Sequence, residues 1–505
     1  MIKSRKTAII IGYGTVLANA LSSIVLTKLY IKYLGYNDYG LYQMINAITQ
    51  YILLFDFGIT TTVSRFRVAC LEKGSKKEDE NLLAHSFTIV GILVTVVVIV
   101  GFVVRGNIHQ IYPSLTPPDI VVSKKMFLFI IVQIVSTLIQ HLFAGIIMSE
   151  EHYSIVKLVE FLKIVAKLIL LAALIGFTKN VMTIVYVDAA ITFSSMLVVM
   201  VYAFKNLKFS IRFHHFDKVL LAQLFVLMLS LLLQSMAACV NNVVGKTILG
   251  NMMSKSVVTI YSLAVTIHSF FAAIPHSMNS VYVPKATQLV ARNASGEELT
   301  DLVIKVGRIQ FMFCGATVAG FILFGKYFLE IWVGQEGIEA WPCAVILLVC
   351  HILPLIQNVC ISILVAKNKR LIPSLVVILT SIINVFVTIF CVRTLGVIGA
   401  AIGVGTSFVL GDLIFNNVYY HKVIGLNVFR MFKEIFHKTF SSILVSSIVS
   451  AFTLFVPCGA LLHLVLGVVS FVLVYALLLW FWGANDSEKS IVLNMPIIKK
   501  IKFDK

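Results

Sequence analysis

Lys157, Glu160, Lys163 and Lys167 stand three, three and four residues apart, a spacing that places side chains on one face of an α-helix. They fall inside an apolar run, 153–177, where an ionisable group is expensive unless paired or hydrated and therefore marks a functional position. Glu160 can pair with Lys157 or with Lys163, so the stripe keeps net positive charge either way. Lys157 sits close enough to the end of the run to snorkel; Lys163 and Lys167 lie deeper. A cationic stripe in such surroundings suits an anionic headgroup such as a phosphate or diphosphate, which lysine engages as a point charge. Structural ion pairing is the competing reading.

Asp56 is the best-placed acid for ion coupling, because burial favours the neutral carboxyl and lets it carry a proton. A packing role beside Gly58 is the alternative, and Asp188 and Asp412 are weaker candidates of the same kind. Three polar stripes recur at helical period. One comprises Asn46, Thr49, Asp56, Thr60 and Ser64, and a second Gln223, Ser230, Gln234 and Asn241. The third comprises Ser262, Thr266, Ser269, His276 and Ser280, with Pro275 as a kink. Together they are expected to line a wet interior, with Asn46, Gln234, Asn241, Thr266 and His276 facing it. Interhelical hydrogen bonding is the bland use of such residues. Lys28, Lys246, Lys285 and Arg393 lie near run ends and read as snorkelling cations.

The elements that position these groups are apolar helices. Of 505 residues, 59% are hydrophobic and 13% charged, and the mean hydropathy is +0.96; soluble domains carry about 25% charge. Apolar runs long enough to span a bilayer, about 20 residues each, fall at about 7–33, 39–66, 83–104, 124–148, 153–177, 181–204, 217–247, 256–290, 302–325, 339–366, 370–394, 396–418, 437–457 and 459–483. The chain therefore reads as an all-α polytopic membrane protein with about fourteen transmembrane helices, and a soluble enzyme or a single-anchor protein is excluded. The first run is too long for the core of a signal peptide and reads as a retained span. The net charge of +18 follows the connections between runs. Arg65, Arg67, Lys73, Lys76, Lys77, Lys205, Lys208, Arg212 and later clusters lie on one side, which the positive-inside rule makes cytoplasmic, together with both termini. This basic excess reads as topology and lipid contact, not nucleic-acid binding. The eight cysteines form no CxxC pair and read as small buried hydrophobes.

Leu34-Gly35 followed by Tyr42 recurs as Leu249-Gly250 followed by Tyr261, and fourteen residues beyond each tyrosine stand Asp56 and Pro275. This suggests a six-helix lobe repeated once, over 1–208 and 209–420, followed by 421–505 with an amphipathic linker, a final helix pair and a basic tail. In the linker, Val428, Met431, Phe432, Ile435 and Phe436 form an apolar face among Arg430, Lys433 and Lys438. That pattern suits a helix lying against lipid or an extension of the next span. His214-His215 sits in a basic loop and is expected to be solvated. No HExxH helix, Walker loop or Cys/His metal cluster is present, so neither metal nor cofactor is expected, and uphill work would draw on an ion gradient or a partner.

Leu34-Gly35-Tyr36-Asn37-Asp38-Tyr39-Gly40-Leu41-Tyr42 resembles the LG-x-x-x-YG-L-[YF] turn of bacterial polysaccharide flippases. Leu53-Leu54-Phe55-Asp56-Phe57-Gly58-Ile59 through Arg65-Phe66 is similar to their L-L-D-x-G segment, with Phe55 where leucine is usual. Phe324-Gly325-Lys326 to Leu329-Glu330-Ile331-Trp332-Val333-Gly334 is similar to the F-G…L-W-x-G connection. Ala366-Lys367-Asn368-Lys369, Asn384 and Gly396-Val397-Ile398-Gly399-Ala400-Ala401 resemble the later signature. The resemblance is to the O-antigen and capsule flippase branch of the multidrug/oligosaccharidyl-lipid/polysaccharide exporter superfamily. It implies two six-helix lobes around a central cavity in the bacterial cytoplasmic membrane. It also implies alternating-access transport of an undecaprenyl-diphosphate-linked oligosaccharide to the outer leaflet, with ion-gradient coupling in several members. Membrane lipids and polysaccharide polymerase or assembly proteins are the implied partners. Only Asp56 and Arg65 carry over by motif position; the lysine stripe is a reading of this chain alone. Lys163, Lys167, Glu160 and Arg65 are thus the expected headgroup site. A peptidoglycan-precursor flippase and a drug antiporter of the same superfamily are the nearest rivals, and an antiporter for cations should show an acidic cavity. A membrane glycosyltransferase would need acids or histidine on a sizeable outer loop, and the longest outer connections, around 105–123 and 326–338, offer little beyond His109, Asp119, Glu330 and Glu336.

Overall fold

The computed structural model describes residues 5–457, 459–486, 488 and 489, without the side chains of 5–10, 13, 234, 237, 238 and 280. Gln234, Ser280, Cys458 and the basic tail from Lys499 lie outside what is described. Among the described residues there is no β-strand, and eleven helices are long and apolar enough to cross a membrane. The protein is a multi-pass, all-helical membrane protein.

The first helix, α1 (Arg5–Ile52), does not stop at Leu34-Gly35. It bends there, because Gly35 takes φ 77° and ψ 176°, a conformation open to a residue without Cβ. The chain breaks later, inside the run expected at 39–66. A 3₁₀ turn over Leu53–Asp56 leads into left-handed Phe57 (φ 48°) and Gly58 (φ 65°) before α2 (Ile59–Glu72). A Cβ on Gly58 would also meet Leu231 Cδ1 at 2.5 Å, so sterics and backbone both require glycine. The elements that follow are α3 (Lys76–Gly106), α4 (Pro117–Ser149), α5 (Tyr153–Thr178), α6 (Met182–Asn206), α7 (Lys218–Met252) and α8 (Lys255–Ala291). Starts are set by local chemistry. Thr116 and Asp119 form a capping box ahead of α4, with proline in its first turn. The Asp217 carboxylate accepts from the backbone N–H of Leu220, 3.0 Å away, a bond that holds its pKa below the usual carboxylate range.

The chain forms two compact units, Met1–Ser262 with Val392–Ala400, and Leu263–Cys391 with Ala401–Lys505. In the first, α1 packs along α5, and α4 is central, touching α2, α3 and α6. Arg67 locks this arrangement. Fully buried, it donates to Asp79 at the start of α3 (3.1 Å), and to Glu150 (2.9 Å), Ser149 Oγ (3.0 Å) and the Ile146 carbonyl (3.0 Å) at the end of α4. Sequence reading treats Arg67 as a topology marker; the fold makes it a structural bolt. The segment 207–217 is exposed over 211–216, as expected for a solvated loop, but it is tethered to α3. His214 Nε2 meets Glu80 Oε2 at 2.7 Å, the backbone N–H groups of His214 and His215 donate to Asn81 Oδ1, and Phe213 stacks on His85 with centroids 4.9 Å apart.

The second unit contains α9 (Gly296–Val333), α10 (Trp341–Ile356), α11 (Asn358–Ala366), α12 (Leu371–Leu395, to Cys391), α13 (Val397–Ser407, from Ala401), α14 (Val428–Phe436), α15 (Thr439–Ala451) and α16 (Ala460–Leu478). Here α14 departs from the lipid-surface expectation. Its apolar face is spent inside the protein, with Met431 and Ile435 buried among Val303, Phe311, Ile356 and Ile363. Arg430, expected to face anionic lipid, instead reaches Asp301 (2.7 Å), Glu434 (2.7 Å) and Glu297. A helix of nine residues cannot satisfy both surfaces, and packing on α9 takes the apolar one. The seven described cysteines are free thiols.

Removing one partner of a buried ion pair strands the other and costs about 3–5 kcal/mol. Arg67→Met is therefore expected to lower the thermal-melting midpoint and membrane level of the purified protein, while Arg65→Met, on the exposed face of the same helix, leaves both near wild type. Thermal unfolding followed by tryptophan fluorescence would check the contrast.

Candidate functional site

The stripe on α5 divides into three kinds of lysine. Lys157 pairs with Glu160 at 2.7 Å, and both are more than a third exposed, so this pair contributes little beyond solubility. One turn deeper, Lys163 makes no ion pair or hydrogen bond among the described residues. Lys167 reaches across to α6 and pairs with Asp188, Nζ to Oδ1 2.8 Å, where Asp188 is 8% exposed. Asp188, a weaker candidate in the sequence, is thus the counter-ion of the deepest lysine. Tyr42 Oη donates to its other oxygen at 3.3 Å.

The bend in α1 brings an aromatic wall to this pair. The rings of Tyr30, Tyr39 and Tyr42 lie 5.6–6.4 Å apart. Gln43 Nε2 donates to Tyr39 Oη at 2.6 Å, and Gln43 Oε1 accepts from Lys246 Nζ of α7 at 3.1 Å. Lys246 is therefore not a snorkelling end-cation; it belongs to the network. Lys157, Lys163, Lys167 and Lys246 against Glu160 and Asp188 leave a formal charge of +2. Chemically, the arrangement offers two cations already neutralised, one held by an amide and one unmatched.

Asp56 ends the 3₁₀ turn, where its Oδ1 lies 2.7 Å from His141 Nδ1 on α4, and Thr60 Oγ1 donates to the His141 carbonyl at 3.0 Å. His141 was not singled out in the sequence. The available signal was a lone imidazole inside the apolar run 124–148, too common a feature to assign without its partner. A carboxylate–imidazole pair of this geometry can hold and pass one proton. Arg65 is exposed and lines a groove of about 580 Å³ with Phe66, Ala69, Gln223 and Ser230; no α5 lysine lines it. Asn46 and Asn241 are half-buried in the same unit. Thr266 and His276 belong to the second unit, where Thr266 is half-buried and His276 Nδ1 lies 2.7 Å from Asn358 Nδ2. The groups expected to share one site thus fall into a lysine–tyrosine network, an acid–imidazole pair, an arginine groove and a histidine group in the other unit.

Long apolar helices carrying ionisable side chains in their interior define a polytopic membrane protein. The chain belongs to the polysaccharide biosynthesis protein family, whose model matches residues 4–290. A search of curated protein sequences returned no match. Among solved structures, the chain is similar in fold to the lipid II flippase MurJ in an inward closed conformation, with a TM-score of 0.71 and 13% identity, covering 93% of this chain and 99% of that one. It is similar to an inward-facing multidrug resistance MATE family transporter of the MOP superfamily, with a TM-score of 0.63, 15% identity and coverage of 84% and 99%. A Vibrio cholerae MATE transporter aligns with a TM-score of 0.58, 13% identity and coverage of 84% and 98%.

If Asp188 is the counter-ion of Lys167, the two should couple. Lys167→Met alone is expected to destabilise the protein by about 3 kcal/mol, Asp188→Leu by a similar amount, and the double variant by clearly less than their sum. Melting midpoints of the four proteins in one detergent give the coupling; simple additivity would remove the pair from the core.

Proposed function

We propose that this chain is a flippase that moves an undecaprenyl-diphosphate-linked oligosaccharide, a polysaccharide repeat unit, from the cytoplasmic to the outer leaflet of a bacterial cell membrane by alternating access. It needs no enzymatic step. The observation that carries the reading is Lys163: an unmatched ammonium on a spanning helix, one turn from a neutralised one, in a network with excess positive charge. A diphosphate would supply the missing counter-charge, hydroxyls and amides of the half-buried polar residues would meet sugars, and the polyprenyl chain would stay in lipid. The family assignment and the transporter fold support the same reading. Binding drives a cycle only if the cargo favours one state over the other, and a charge that must be neutralised in one state provides such a preference. Asp56 with His141 is the ion-coupling candidate, and Arg65 is the cation at the groove. Polysaccharide polymerase or assembly proteins are the partners this reading implies.

Fourteen spans, with both termini cytoplasmic, fit the same reading. Three features raise the eleven apolar helices to that number. Gly14–Glu72 is 59 residues long, enough for two crossings. Tyr153–Thr178 has the length of a span and carries the four charged residues of the stripe, and Lys218–Met252 is long enough to cross. The lobes are then 1–208 and 209–420, with 421–505 as an appended pair and tail.

A peptidoglycan-precursor flippase is the second reading, favoured by the MurJ-like fold; its cargo would present the same diphosphate chemistry. A cationic-drug antiporter conflicts with the net positive charge of the network. Lys163→Glu is expected to reduce glycan export at least tenfold at a wild-type membrane level, with Lys163→Arg retaining most of it. The accumulating lipid-linked glycan, extracted and identified by mass spectrometry, names the cargo and separates the two flippase readings. Normal export by Lys163→Glu would return the stripe to a purely structural role.

A further inference from the structure

The second unit contains a histidine group that the proposed cycle does not use. His268 Nε2 on α8 lies 2.7 Å from His351 Nδ1 on α10, and both residues are more than nine-tenths buried. Phe408 stacks on His351, centroids 4.4 Å apart and nearly parallel, and lies 6.0 Å from His268. His276 is 6.3 Å from His351 and is held by Asn358. On the same helices, Phe271 of α8 and Leu348 and Leu355 of α10 pack with Cys314 in a buried apolar cluster. Other titratable groups on the packed elements include Cys343 and Cys350 of α10, the latter with its Sγ facing Gly405, Lys255, Tyr261, Tyr282 and Lys285 of α8, and Asp412, whose Oδ1 is taken by Asn416 at 2.9 Å. The electrostatic neighbours of the pair are each other and His276; among the described residues no lysine, arginine or carboxylate acts on it.

Both helices are weakened beside these rings. Pro275 interrupts α8 next to His276, and its carbonyl is taken by the Gln310 side chain at 3.2 Å. Pro354 sits in α10 three residues past His351, and the helix ends at Gln357 before Asn358 restarts it. Proline removes a backbone hydrogen bond and favours bending at that point.

We propose that His268 and His351 form a proton-binding site of the second unit, and that its occupancy controls bending at the Pro275 and Pro354 joints. An N–H···N contact needs one protonated and one bare nitrogen, so the neutral pair is a bond that ties α8 to α10. One added proton, taken from water at a free ring nitrogen, can be held while that bond persists, its charge facing the Phe408 ring. A second would set two N–H groups and two like charges against each other, so the site takes one proton at a time. A metal is disfavoured by geometry, since two imidazole nitrogens bound about 2.0 Å from one tetrahedral ion stand about 3.3 Å apart; the described residues contain no metal-binding group of three. With no counter-ion, the charged form strains the apolar pocket, and the proline joints are where the unit yields. A role for this proton in driving transport rests on the flippase reading; the binding itself does not.

Hydrogen–deuterium exchange of the full-length protein in lipid nanodiscs, without cargo, at about pH 7 and about pH 4 and corrected for intrinsic exchange, tests the site. Peptides covering 268–279 and 350–358 are expected to exchange several-fold faster at the lower pH, and His268→Gln and His351→Gln to abolish the difference. Phe408→Leu, which keeps both histidines, should move the midpoint to lower pH. Wild-type protein with no pH dependence at these joints, or histidine variants that retain it, would overturn the proposal. So would an unmoved midpoint in Phe408→Leu. None of these outcomes bears on export by Lys163→Glu, so the two readings fail separately.

Discussion

An ammonium withdrawn from water must be given a counter-charge or a hydrogen-bonding shell, and the first unit is organised around one that is. Lys167 lies in mid-helix on α5 with a third of its side chain exposed, and α6 presents Asp188 to it at 2.8 Å. Fixing α6 against α5 also fixes the aromatic wall of α1, because Tyr42 shares the same carboxylate. α1 can bring Tyr30, Tyr39 and Tyr42 to that point while continuing beyond them only because Gly35 bends it. One desolvated charge therefore sets the arrangement of three helices. Its neighbour Lys163, one turn away on the same helix, is left without such an arrangement.

The same economy of buried charge appears in each unit taken alone. Arg67 ties α2 to the beginning of α3 and the end of α4, and Arg308 on α9 is held by Glu488 at 2.7 Å and by the carbonyls of Glu434 and Gly483. Both guanidiniums are nearly inaccessible and satisfied in several directions, which suits a planar five-donor group better than lysine. These clamps hold where chain segments return from the membrane, and the apolar helices between them pack with side chains that specify little. Buried ion pairs add modest net stability; their value here lies in fixing register.

Much of this was legible in the sequence. Helical periodicity located the charged stripe on α5 and the spans around it, since apolar runs and intrahelical spacing are local properties. The partners were not legible. Asp188 for Lys167, His141 for Asp56, Gln43 for Lys246 and Glu80 for His214 join residues 21 to 203 positions apart, and only helix packing decides such contacts. The amphipathic pattern of α14 was read correctly as one apolar face, but pattern alone does not say whether lipid or protein covers it; α9 does. The break after Ile52 was missed for a related reason: an uninterrupted apolar run gives no sign of Phe57 adopting φ 48°, a conformation imposed by its surroundings and by Gly58.

The contrast between Lys163 and Lys167 bears directly on the proposed transport. A cation fully matched by protein is equally content with or without cargo, and so cannot bias a conformational equilibrium. Matching every lysine on α5 would give a more stable and less responsive helix. Leaving one without a contact ion pair lowers stability, since Asp188 and Glu160 act on its charge only from a distance and Lys167 repels it. An anionic cargo then gains affinity for whichever state presents that ammonium least hydrated, and the preference persists only while the other lysines keep their own partners. Supplying a new acid one turn from Lys163 would satisfy the charge and remove the bias together. On this argument the stability of α5 and its responsiveness to an anion are opposed: Asp188 and Glu160 pair directly with the lysines on either side of Lys163 and reach Lys163 itself only through space.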